Sequence, residues 1–188
     1  MADLFYVIGA SGSGKDSLIQ YARVHMPENH QTVFTHRYIT RPAEAGGENH
    51  IALDEREFFS RQNMSCFAMA WYSHETHYGI GIEINQWLGK GLNVVMNGSR
   101  GYLKYAAQQY HEIVPVLISV RAEILRQRLE LRGRETAEQI DRRLAQARKL
   151  ETLVAHPRLI KVENNGLLEN AGERLISVIH SNYTSQCA

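Results

Sequence analysis

The chain has 188 residues, 44% of them hydrophobic and 22% charged, with a formal net charge of +1. That suits one globular domain with a sizeable core, and it gives no bulk electrostatic reason to expect nucleic acid or an anionic membrane as partner. Two distant cysteines, Cys66 and Cys187, make neither a disulfide framework nor a metal knuckle, so a reducing, cytoplasmic setting is expected.

In chain order, "LFYVIG" (4–9) reads as a buried strand, and the stretch from Lys15 as a helix ending near His25, before Pro27. "TVFTHRYIT" (32–40) reads as one strand. A short helix follows over 54–62, with Asp54 as N-cap and Glu57 completing a capping box. "CFAMAWYS" (66–73) is strand-like, and 83–91 is a helix closed by Gly91. "LNVVMNG" (92–98) and "EIVPVLISV" (112–120) are apolar runs of the kind that parallel sheets bury on both faces. Helices are expected over about 121–132 and from Thr136, then a strand over 158–164 and a helix over 167–180. No apolar run is long enough to span a bilayer, and the N-terminal run has no basic region before it, so it reads as a strand and not a signal peptide.

This alternation predicts a three-layer α/β domain with a mostly parallel sheet. Its core would comprise about 1–35, 92–130 and 155–182. The polar stretch 36–85, rich in His, Tyr and Gly, reads as an insertion over the C-terminal edge of the sheet, and the Arg-rich turn near 132–136 as a second mobile piece.

The sharpest motif is "GASGSGKDS" (9–17), in which Gly9 to Lys15 fit G-x-x-x-x-G-K between a strand and a helix. Successive N–H groups of Gly9, Ala10, Ser11, Gly12, Ser13 and Gly14 can cradle phosphate, and Lys15 can reach the β- and γ-phosphates of ATP. A Gly/Ser turn that merely caps a helix is the bland alternative. Asp16 stands where a Mg²⁺-holding hydroxyl belongs. Ser17 lies about 100° further round the helix and cannot simply replace it. Asp16 either binds Mg²⁺, directly or through water, or serves only as a carboxylate favoured by the helix dipole. His74 and His77 in "HETH" do not form a zinc pattern.

Beyond the motif, the chain resembles a guanylate-kinase-like P-loop kinase over nearly its whole length. The resemblance rests on "ITRPAEAGGENHIALDEREF", "FAMAWYSHETHYGI", "LRGRETAEQIDRRL" and "KVENNGLLENA". It implies that Arg41 and Tyr78 bind the acceptor phosphate, with His50 standing where the family has a tyrosine. It also implies that Arg132, Arg134 and Arg143 are lid arginines contacting ATP or the transferring phosphate, and that Asn164 lies beside the adenine. Met69 occupies the place of a guanine-binding acid, and "VVMNGSRG" lacks the family's acidic residues. Guanine recognition is therefore unsupported, since its N–H groups need acceptors.

"SGSGKDS", "HRYITRP", "GENHIAL" and "NGSR" resemble one subgroup, the kinases acting on ribose 1,5-bisphosphate in phosphonate degradation by the carbon–phosphorus lyase pathway. This implies phosphoryl transfer from ATP, with Mg²⁺, to a phosphorylated sugar. Arg37, Arg41, His50 and Tyr78 would take the acceptor phosphate, and Asn97, Ser99 and Arg100 the sugar hydroxyls or second phosphate. Two other readings are a nucleoside monophosphate kinase and a non-catalytic guanylate-kinase-like binding module. The sequence does not set the oligomeric state, and a homodimer is one arrangement it allows.

Overall fold

The computed structural model describes residues 2–28, 30–43, 48–133 and 135–184. Its main sheet is parallel throughout and has five strands in the order β2-β7-β1-β8-β9. These are β1 (Leu4–Gly9), β2 (Thr32–Phe34), β7 (Asn93–Asn97), β8 (Ile113–Ser119) and β9 (Ile160–Glu163). Pleating sends alternate residues to opposite faces. Phe5 and Val7 join one core with Leu18, Ala22, Leu175 and Ile179, carried by α1 (Lys15–His25) and α7 (Leu168–Thr184). Leu4, Tyr6 and Ile8 join the other, against Ile84 of α3 (Glu83–Gly89) and Leu103 and Ala106 of α4 (Leu103–Gln109). Apolar side chains on both pleats of β1 make it the buried centre of the three layers.

A second sheet lies within residues 37–81, in the order β4-β3-β6-β5. Here β3 (Arg37–Ile39) pairs parallel with β4 (Ile51–Ala52) and antiparallel with β6 (Thr76–Gly81), which forms a hairpin with β5 (Phe67–Ser73). The single strand expected over 32–40 is therefore two. Val33 and Phe34 follow the register of β7, whereas Arg37 pairs with Ile80 of the other sheet. The two intervening residues, Thr35 and His36, carry the chain from one sheet to the next.

Other boundaries follow local chemistry. Asp54 caps α2 (Glu55–Asn63) by accepting from the Glu57 N–H at 2.7 Å. Helix α3 stops at Gly89 rather than at Gly91, which follows with φ +80°. Gly133, at φ +65°, closes α5 (Ala122–Arg132), and Thr136 forms a reciprocal capping box with Gln139 at the start of α6 (Ala137–Leu153). Leu125 and Leu129 of α5 pack on Ile140 and Leu144 of α6 as a small third core. The sequence reading missed α4, which follows a 3₁₀ turn at Arg100–Tyr102. Among the described residues no helix is long and apolar enough to cross a membrane.

Candidate active site

The loop between β1 and α1 is shaped by glycines at positive φ, Gly12 (+88°) and Gly14 (+81°), where side chains are strained. A Cβ on Gly14 would lie 2.5 Å from Asn164 Nδ2, and one on Gly9 2.9 Å from the Ile118 carbonyl oxygen. The Ser13 N–H donates to the Ala10 carbonyl at 3.1 Å. The Ser13 carbonyl in turn accepts from Asn164 Nδ2 at 2.8 Å and from Arg128 Nη1 at 3.4 Å. The loop is thus tied from behind while the helix N-terminus stays at its mouth.

Lys15 follows at the head of α1, its side chain 14% exposed and its Nζ 3.4 Å from Asp16 Oδ1. Burial lowers the Lys15 pKa, with Asp16 opposing and Arg37 reinforcing that effect. For Asp16, burial acts upward, but Lys15, Arg37 and the Asn97 hydrogen bond outweigh it and hold the carboxyl below its ordinary value.

Asn97, at the end of β7, joins two carboxylates. Its Nδ2 donates to Asp16 Oδ1 at 2.6 Å and to Glu48 Oε2 at 2.5 Å, while its own Oδ1 is buried without a hydrogen-bond partner. Glu48 also pairs with Arg37 at 2.6 Å, and the Arg37 guanidinium lies 4.8 Å over the Tyr78 ring. Asp16, Lys15, Arg37, Glu48, Asn97 and Tyr78 are therefore one connected cluster at the mouth of the loop.

Two cavities flank the loop. One, of roughly 300 Å³, has walls from Val120, Leu125, Leu144, Ala147, Arg148 and Asn165. The other, of roughly 340 Å³, is lined by Asp16, Arg23, Thr35, Arg37, Glu48 and Asn97 among others. Ser17 opens onto the second cavity. Above the loop, the Arg143 guanidinium donates to Ser11 Oγ at 2.8 Å and lies 3.3 Å from Glu135, which also pairs with Arg132. Arg134 lies outside the described residues.

Several expected positions differ. Asn164 is 2% exposed and braces the phosphate loop, and its neighbour Asn165 lines the first cavity instead. His50 is buried, with its ring nitrogens 3.1 and 3.0 Å from the carbonyl oxygens of Glu48 and Arg41, so it fixes the segment carrying Glu48 and does not face the cavity as a ligand. Ser99 exchanges hydrogen bonds with the Tyr6 hydroxyl through its backbone. Arg100 opens the 3₁₀ turn beside a smaller hollow that includes Ala10. Met69 is 1% exposed and packs in the core with Tyr6 and Ile80, so it lines no base pocket. The sequence reading missed Glu48, Glu135 and Arg23. Glu48 stands directly after a glycine pair, a turn signal that could have flagged it.

Among the described residues, no group of three or more His, Cys, Asp or Glu side chains is placed to hold a metal unaided. A cation here would share its shell with phosphate oxygens.

No protein-family model matches the chain. Its fold is that of a guanylate-kinase-like P-loop protein. The crystal structure of guanylate kinase from Anaplasma phagocytophilum superposes with a TM-score of 0.70 and 17% identity, covering 96% of this chain and 85% of that one. The sequence narrows the class further. The ribose 1,5-bisphosphate phosphokinase PhnN of Psychromonas ingrahamii is 52% identical over 178 residues, covering 95% of this chain and 90% of the relative. Proteins of the same name from Desulfomicrobium baculatum and Thiobacillus denitrificans are 50% and 51% identical, covering 95% and 94% of this chain and 95% and 92% of the relatives. The chain belongs to the ribose 1,5-bisphosphate phosphokinase family.

Proposed function

We propose that this chain transfers the γ-phosphoryl group of ATP to the 1-phosphate of ribose 1,5-bisphosphate, giving 5-phosphoribosyl 1-diphosphate and ADP, in phosphonate catabolism. The observation that carries this reading is the 52% identity, over 95% of the chain, to a relative named for that substrate. The site accounts for the chemistry. The acceptor atom is a phosphate oxygen, already anionic near neutral pH, so no general base is required and catalysis is positioning and charge stabilisation.

In this reading the first cavity takes the adenine and the phosphate loop, from Gly9 to Ser17, takes the triphosphate. Lys15, Arg132 and Arg143 stabilise the charge that develops on the transferring group. Glu135 pairs with both Arg132 and Arg143, and so ties Arg132 to the arginine that reaches Ser11 of the loop. The second cavity takes the acceptor, with Arg37 and Tyr78 at the phosphate to be extended and Asn97 and Glu48 at sugar hydroxyls. Residues 36–85 then serve as the acceptor-binding insertion and 131–143 as the lid.

Mg²⁺ prefers oxygen ligands, and the Asp16 and Glu48 carboxylates, held together by the Asn97 amide N–H₂ group, are the oxygen donors at the mouth of the loop. Asp16 would hold the ion, with Glu48 beside it, and the bound ion neutralises phosphate charge. Purified protein with MgATP should convert ribose 1,5-bisphosphate to 5-phosphoribosyl 1-diphosphate, read by product assay. Equal turnover of GMP would instead favour a nucleoside monophosphate kinase.

A further inference from the structure

The cavity beside the phosphate loop has two unlike ends. Near the loop, cations and carboxylates alternate: Lys15, Asp16, Arg37 and Glu48. At the far end stands Arg23, and its described contacts are with neutral groups. Its Nη2 donates to the Thr35 carbonyl at 3.3 Å and its Nη1 to His36 Nε2 at 3.2 Å. Among the described residues no carboxylate forms an ion pair with it.

His36 acts as a brace. Its Nε2 also receives Asn49 Nδ2 at 3.2 Å, and since both partners are donors, Nε2 is the acceptor. Burial and the neighbouring Arg23 hold the ring below its ordinary pKa, which keeps that nitrogen unprotonated. Two polar atoms at this end are left over. Arg23 Nε and Thr35 Oγ1 are buried with no hydrogen-bond partner, and Thr35 is only 8% exposed. Buried donors left unsatisfied are costly, and here one of them belongs to a half-buried cation whose other contacts are neutral. An anion accepting hydrogen bonds from both would relieve both costs.

Spacing fits a second phosphate. Asp16, Gln20 and Arg23 all line the cavity and follow one another at i, i+4 and i+7, on one helix face. Arg23 therefore lies about 10 Å along the axis from the phosphate loop. With the 1-phosphate at Arg37, a five-carbon sugar bearing phosphates at both ends runs along this cavity toward Arg23, its hydroxyls passing Glu48 and Asn97.

We propose that Arg23, Thr35 and Asn49, with His36 as a positioning residue, form the subsite for the 5-phosphate, the acceptor phosphate that does not react. This rests on the function proposed above and adds that the enzyme selects a bisphosphate by gripping its remote end.

The test is a selectivity ratio: kcat/KM for ribose 1,5-bisphosphate divided by that for ribose 1-phosphate, which lacks the remote group. Arg23→Gln should lower the ratio by roughly 10- to 100-fold, as expected for losing a charge-assisted contact. Thr35→Val removes a hydroxyl that has no partner within the protein, so it should keep the fold and still lower the ratio, by about fivefold. If Arg23→Gln does not fold, the Thr35 variant decides alone. Turnover of ribose 1,5-bisphosphate by the unmodified protein, with ratios unchanged in the folded variants, overturns the subsite and leaves the proposed function standing. No turnover of ribose 1,5-bisphosphate by the unmodified protein overturns both.

Discussion

Asp16 has two proposed roles, one in stability and one at Mg²⁺, that can be separated by experiment. Its carboxyl sits below the usual carboxylate range: burial pushes upward, but Lys15, Arg37 and Asn97 prevail. A carboxyl depressed on folding contributes stability above its unfolded pKa of about 3.9, and that contribution fades as pH falls through the lower folded value. Asp16→Asn should therefore lower Tm at pH 7, with the gap to the unmodified protein closing below about pH 4. The same substitution should raise the Mg²⁺ concentration needed for half-maximal rate by roughly tenfold or more. An unchanged Mg²⁺ titration would reduce Asp16 to a helix-terminus residue. At this scale the sequence was informative where a motif fixes the residue: Gly14 and Lys15 stand where their spacing puts them. It was blind to Glu48, because the contact between a loop residue and Asn97, 49 positions later, leaves no local pattern. Nor does it show that Asn164 braces the loop while Asn165 lines the cavity.

Among the elements, α6 bears Arg143, and its start is set by Thr136. The Thr136 hydroxyl accepts from the Gln139 N–H at 3.3 Å, while Gln139 Oε1 accepts from the Thr136 N–H at 2.9 Å. Thr136→Ala removes one of these and should cost about 1 kcal/mol, measured by urea denaturation. Because the first turn of α6 positions Arg143 over Ser11, kcat should fall with the ATP KM little changed. This helix start and its cap were legible in the sequence, as were β1, α1, β7 and β8, since periodicity and punctuation are local signals. The split of 32–40 was not. Its residues all favour strand, and only their pairing partners elsewhere in the chain, β7 for one half and β4 and β6 for the other, decide which sheet each half joins.

At the scale of the whole molecule, the proposed function makes the phosphate loop, Arg132, Arg143 and the two flanking cavities one ligand-binding surface. Ligand that binds only the native state stabilises it, by about 2.7 kcal/mol at a hundredfold excess over Kd. For a chain of this size that is a rise in Tm of roughly 5–10 °C. MgATP should produce such a rise in a thermal melt, and its absence at millimolar concentration would favour the non-catalytic binding module. The layered architecture could be read from the alternation of strands and helices, and β5 from the strand-like run over 66–73, whereas β3 and β4, short and partly or wholly exposed, could not be drawn separately.

The Asn164 amide reaches back 151 positions to the Ser13 carbonyl, and the strand leading to it, β9, pairs with β8 at the far edge of the sheet. During synthesis, then, the first motif to leave the ribosome is among the last to be finished. The nascent loop waits for β8 to arrive beside β1 and for β9 to bring its brace, so a chain interrupted before residue 160 has every glycine of the motif and no rigid cradle. On the proposed function, nucleotide affinity should therefore depend on β9 and its asparagine as well as on the glycines of the loop they brace.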